Sequence, residues 1–157
     1  MIPVRKYKAL WEFIASEIPA IHSVFVVDDE AELASKINEV DNLCTMLVAV
    51  VPSSDMNATD EDNYGDVDTC LVYLLMKIDP RDHSDEGIMD ERELTQNLMG
   101  SVREAMLELG ERCDGSDHSK LMAQIVRGKQ HIDRERNYLG CNGYSMSFGI
   151  KTNGFNP

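Results

Sequence analysis

The 157-residue sequence predicts an α+β fold, with a mainly antiparallel sheet of four or five strands packed in two layers against helices. Three observations predict it. Stretches with helical apolar period alternate with short apolar runs of strand length. Two of those runs, residues 43–51 and 69–78, are joined by one polar stretch and so pair as an antiparallel hairpin. Near the end of the chain Tyr144, Met146, Phe148 and Ile150 alternate with Ser145, Ser147, Gly149 and Lys151, the pattern of a strand with one face in a core. Helices must then cover at least one face of the sheet.

The elements follow in order. Tyr7, Leu10, Trp11, Ile14, Ala15 and Ile18 fall on one face of a helix that Pro19 ends. Residues 22–27 form a short strand rich in Val and Phe. Asp28 or Asp29 caps a second helix with Ala31, Leu33, Ala34, Ile37 and Val40 as its apolar positions. Residues 43–51 are a buried strand closed by Pro52, residues 53–68 a polar loop, and residues 69–78 a second buried strand. After an acidic loop at 79–89, Asp90 and Glu93 make a capping-box pair at the start of a helix. Its stripe is Leu94, Leu98, Val102, Ala105 and Leu109, and Gly110 fits the left-handed position past its end. Gly100 in its middle suggests close packing on the sheet. A shorter amphipathic stretch carries Leu121, Met122, Ile125 and Val126. A closing hairpin turns at Asn142-Gly143, the favoured pair for a tight primed turn. Residues 1–152 make a single domain and 153–157 a flexible tail.

Composition bounds the function. Acidic residues number 28 against 15 basic ones, a formal charge of −13. That charge keeps the chain soluble and disfavours non-specific binding to phosphate backbones. No apolar run reaches the roughly 20 residues a membrane helix needs, and the start of the chain lacks the pattern of a secretory signal. Cys44, Cys70, Cys113 and Cys141 have no C-x-x-C spacing, so the expectation is a reduced intracellular protein with Cys44 and Cys70 as small core residues.

Motifs for catalysis are weak. Counting a calcium loop from Asp60 puts Asp60, Asp62, Gly65 and Asp68 at fitting positions, but Tyr64 falls at the fifth and Leu71 at the twelfth, where a glutamate is required. Asp79, Asp82 and His83 lie together, yet no second histidine is near in sequence, and His118 and His131 could approach only through the fold. There is no nucleophile elbow, phosphate loop, dinucleotide fingerprint or H-E-x-x-H. The expectation is therefore a protein with no catalytic residues, cofactor or metal.

The charges are segregated. Residues 53–68 hold six acids and residues 79–93 hold seven. Residues 120–136 carry Lys120, Arg127, Lys129, Arg134 and Arg136 against Asp133 and Glu135, a net +3. Asp60, Asp62 and Asp66 on one side and Arg127, Lys129 and Arg134 on the other are thus candidate subunit contacts, meeting head to tail between identical chains.

In the order and length of its elements the chain resembles the tail-terminator and tail-completion (neck) proteins of tailed bacteriophages. The matching parts are the helix 7–18, the hairpin 43–78, the helix 90–109 and the closing hairpin 131–151, with helices at 31–40 and 119–127 added. The resemblance implies a non-enzymatic ring, usually of six subunits, that caps the tail tube and joins other tail or neck proteins. It implies a location in the bacterial cytoplasm or the virion, no membrane, and no sequence-specific nucleic acid. Residues 53–68 would touch neighbours or the tube. The alternative reading is a small intracellular ligand-binding or regulatory domain with a pocket between sheet and helices; a metal enzyme using Asp79, Asp82 and His83 ranks last.

Overall fold

The computed structural model describes residues 1–58, 64–78, 84–112 and 114–152. The predicted 153–157 tail lies outside them. Five strands form one mixed, mostly antiparallel sheet in the order β1-β2-β3-β5-β4. They are β1 Ser23–Val27, β2 Thr45–Ala58, β3 Tyr64–Lys77, β4 His131–Tyr138 and β5 Cys141–Lys151. β1 and β2 run parallel, as the intervening helix allows. The other neighbours are antiparallel.

Helices α1 Val4–Ser16, α3 Asp85–Glu111 and α4 Asp117–Met122 cover one face. The period seen in α1 is the reason: Tyr7, Leu10, Trp11, Ile14 and Ala15 are all buried. Trp11 stands edge-on between Tyr7 and Phe148 of β5, at centroid distances of 5.8 and 6.1 Å. α2, Glu30–Asn38, lies on the opposite face, where Leu33 and Ile37 pack with Val27, Met46, Val48 and Leu75. Asp29 caps it, accepting from the Glu32 amide at 2.8 Å. Its C-terminal end is held by Lys77, whose Nζ donates to the carbonyls of Ile37 at 3.2 Å and Val40 at 2.6 Å.

Several sequence expectations are corrected. β2 does not stop at Pro52, and residues 53–58 and 64–68 are strand, not loop. Pro52 sits where the β2–β3 register shifts between Val50 and Ser53, so its missing N–H breaks no regular ladder. α3 begins at Asp85, because Ser84 accepts from the Gly87 amide at 3.1 Å and captures the start before Asp90 can. Its buried stripe runs through Glu91, Thr95, Leu98, Met99, Val102, Met106 and Leu109, leaving Leu94 exposed. Gly110 is inside the helix; it is needed because a Cβ there would lie 2.9 Å from the Met122 carbonyl oxygen. Gly100 meets nothing within 4 Å and serves no packing role. α4 ends at Met122, and Arg127–Lys129 form a 3-10 turn.

The closing hairpin turns three residues earlier than expected. Tyr138 pairs with Cys141 across Leu139 and Gly140, which have φ of 51° and 77°. Positive φ at both positions is the primed turn that suits twisted strands. Asn142 and Gly143 belong to β5, and Gly143 is required by close approach, since a Cβ would fall 1.9 Å from the Leu74 carbonyl oxygen.

Candidate functional site

The strand register makes the β2–β3 hairpin longer than the sheet around it. β1 pairs with β2 only as far as Val50, and β5 pairs with β3 only from Val67 onward. Ser53 to Ala58 and Tyr64 to Asp68 pair with one another across the shift. Among the described residues of the hairpin, only 56–58 and 64–66 pair with no third strand in the ladder, since Val67, Asp68 and Thr69, opposite Asp55, Ser54 and Ser53, still pair with β5. Residues 56–58 and 64–66 form a short arm that overhangs the sheet by about 10 Å, at about 3.3 Å per strand residue. Asp66 lies on this arm, opposite Met56. Asp60 and Asp62 lie outside the described residues.

At the root of the arm Asp68 turns inward. It is fully buried under the start of α1, and its Oδ2 accepts from the Ile2 amide at 2.6 Å. The residue counted ninth in a calcium loop is thus occupied in the core, and Gly65 is part of a strand. Asp79, Asp82 and His83 lie outside the described residues, as does Cys113. His118 packs against Phe13 and His131 pairs with Asp133 at 3.0 Å on β4. Among the described residues no group of three or more His, Cys, Asp or Glu could hold a metal ion.

The basic residues fall into two groups. Arg127 is exposed and 3.5 Å from Glu111, a surface pair with little energetic weight, and Lys129 shares its 3-10 turn. Arg134 stands on β4 opposite Tyr144. Its pKa is lowered by desolvation and by the nearby charges of Arg136 and Arg92. Arg92 of α3 was not expected in this group, since 42 positions of sequence separate it from Arg134. Its Nε is buried without a hydrogen-bond partner, and its Nη1 lies 3.5 Å from Met89 Sδ. The sequence signal that could have found it is the spacing of Arg92 and Arg103, about three helical turns, which places both on one flank of α3.

Cys70 and Cys141 are fully buried. Burial pushes the Cys70 thiol up to about 12 and the Cys141 thiol to about 11, which keeps both protonated and unreactive. Two clefts open between helices. One of about 210 Å³ lies between α1 and α3, lined by Phe13 and Ile18 together with Glu17, Glu104 and Glu108. The other, of about 240 Å³, lies between α1 and α4 and is lined by Ile2, Ala9 and Leu121 beside Arg5 and Lys6. No helix among the described residues is long and apolar enough to cross a membrane. On the opposite sheet face Tyr73 and Tyr138 stack at 5.4 Å, and desolvation raises the Tyr73 hydroxyl to about 12. No family model matches the chain, and no curated protein matches it.

Proposed function

We propose that the chain is a non-enzymatic assembly subunit that joins copies of itself into a ring. The observation that carries this reading is the overhanging arm. A two-stranded ribbon on its own is marginal in water, so the part of the hairpin beyond Asp55 and Val67 gains by lying on another molecule. Its sequence is acidic, and the basic residues of the chain gather elsewhere. A contact between two different patches is heterologous, and such contacts close into rings when the rotation permits.

The succession of α1, the long β2–β3 hairpin, α3 and the β4–β5 hairpin supports assignment to the tail-completion proteins of phages or phage-like particles. In that setting the ring caps a tube and joins further tail or neck proteins. An acidic lumen would let DNA pass without adhering. The ligand-binding alternative is favoured by the apolar cleft between α1 and α4. That cleft lies between helices instead of between sheet and helices, and it is smaller than the roughly 300 Å³ of ordinary ligand pockets. Mass photometry of the purified chain tests the assembly reading. A discrete oligomer of fixed mass is expected. A chain that stays monomeric at high concentration and low salt contradicts it.

A further inference from the structure

The flank of α3 that carries Arg92 and Arg103 runs beside β4. Arg103 Nε donates to Gln130 Oε1 at 3.3 Å, just before the first residue of β4. From Arg103 back to Arg92 is about 16 Å at 1.5 Å per helical residue. From Gln130 forward to Glu135 is also about 16 Å at strand rise. The helix and the strand therefore run antiparallel, which brings Arg92 level with Arg134 and Arg136. Ile132 and Arg134 point to the helix side of the sheet, because their register partners Met146 and Tyr144 belong to the helix-side core. Ile132 and Met89 are exposed large apolar residues along the same groove.

None of Arg92, Arg134 and Arg136 has a carboxylate at ion-pair distance among the described residues. In a chain of net charge −13 that is unusual, because acids are in excess nearly everywhere. β4 ends the sheet order, so among the described residues no strand pairs with its outer edge. Charged side chains on an edge strand commonly serve only to repel other edges. That role does not account for the orphaned Arg92 Nε, nor for arginines supplied by a helix and a strand together.

Resting on the assembly reading above, we infer that the α3–β4 groove lined by Arg92, Arg134 and Arg136 docks the acidic arm of a second copy of this chain. Charge complementarity selects the occupant: the arm carries Asp66, with Asp55 in the strand at its root, and the groove is cationic with an apolar lip. Geometry rules out the arm of the same molecule. Arg134 is level with Tyr144 and Leu74, eight residues along β3 from Asp66 and two strands across. That is about 26 Å along the strand alone. The arm and the groove therefore lie at opposite ends of the sheet, and each copy can offer its arm to one neighbour while its groove receives the arm of another.

Reciprocal charge reversal tests this in the full chain by light scattering at low salt, with circular dichroism melts as a folding control. R92E/R134E/R136E is expected to weaken association by about a hundredfold or more, and D55R/D66R to do the same. Mixing the two variants restores complementarity at every contact and should return the intact mass, while K8E alone, on the exposed face of α1, changes the mass little. The milder R134Q/R136Q provides a second variant if the triple reversal does not fold, and it should associate more weakly than the intact chain. The inference is overturned if the intact chain assembles and the folded triple reversal, or R134Q/R136Q, keeps its mass. It is also overturned if the two folded reversals fail to assemble when mixed, or if the triple reversal keeps its mass and instead loses affinity for a single-stranded oligonucleotide. An intact chain that does not assemble contradicts the assembly reading itself.

Discussion

The two halves of the β2–β3 hairpin share the same pair of strands and differ in what surrounds them. From Thr45 to Val50, and from Leu71 to Met76, the strands lie between β1 and β5. Met46, Leu47, Val48 and Leu74 are fully buried there, some under the α1–α3 layer and some under α2. Beyond the bulge at Pro52 β2 no longer pairs with β1, β3 keeps β5 only as far as Val67, and Ser53 and Ser54 are exposed. The inner half carries the cost of folding the outer half, since a ribbon of that length is held straight only by strands rooted in a core. Stability and association therefore belong to different stretches of one element, and mutations can separate them.

The largest expected effect is where β5 meets the inner half, at Gly143 opposite Leu75. Gly143→Val would drive a side chain into the Leu74 backbone, because even a Cβ would lie 1.9 Å from its carbonyl oxygen. A loss of about 3 kcal/mol or more is expected, at or beyond the usual cost of overpacking, and urea unfolding by circular dichroism measures it. Leu74→Ala removes a fully buried side chain and should cost about 2–5 kcal/mol. Ser54→Ala, exposed beyond the bulge, should stay within about 0.5 kcal/mol in the same assay; equal losses at the two positions would erase the distinction.

A smaller effect is expected at the rim of the inner half. Lys77→Met removes the donor to the carbonyls of Ile37 and Val40, leaving the end of α2 uncapped. A loss of about 1–3 kcal/mol is expected, with hydrogen exchange rising in α2 and not in α1. The smallest effect is electrostatic and far from the hairpin. Hydrogen bonds from the Ser119 side chain, the Ser116 amide and the Ser116 side chain hold the exposed Asp114 carboxyl at about 2, below its ordinary value of 3.8. A carboxyl with a lowered folded pKa stabilises the fold above its unfolded pKa, and that stabilisation is lost as pH falls through the folded value. The melting temperature should therefore drop slightly between about pH 4 and pH 2 through this group, and Asp114→Asn should remove that part of the drop.

The inner half was legible in the sequence because burial on both faces writes continuous apolar runs at 43–51 and 69–78. The arm was not legible, because its residues form no continuous apolar run, and Pro52 imitated a stop while sitting at a bulge. The start of α3 was misplaced since two capping signals compete, at Ser84 and at Asp90, and only the local fold decides between them. Asn142-Gly143 was a strong turn signal overridden by tertiary packing: Gly143 is spent on close approach to β3, and Leu139 accepts a left-handed φ in its place. The candidate surface was half legible. Arg134 stood out in a basic stretch, whereas Arg92 became its neighbour only once α3 lay along β4.

The most direct test of the account shortens the arm. Replacing residues 56–66 by a tight Asn-Gly turn between the paired residues Asp55 and Val67 leaves the inner half intact, and the variant is compared with the full chain by light scattering and thermal melting in the same buffer. The account predicts a monomer with a melting temperature close to that of the full chain, beside a full chain of larger, fixed mass. A shortened variant that folds and still assembles to the same mass would contradict it.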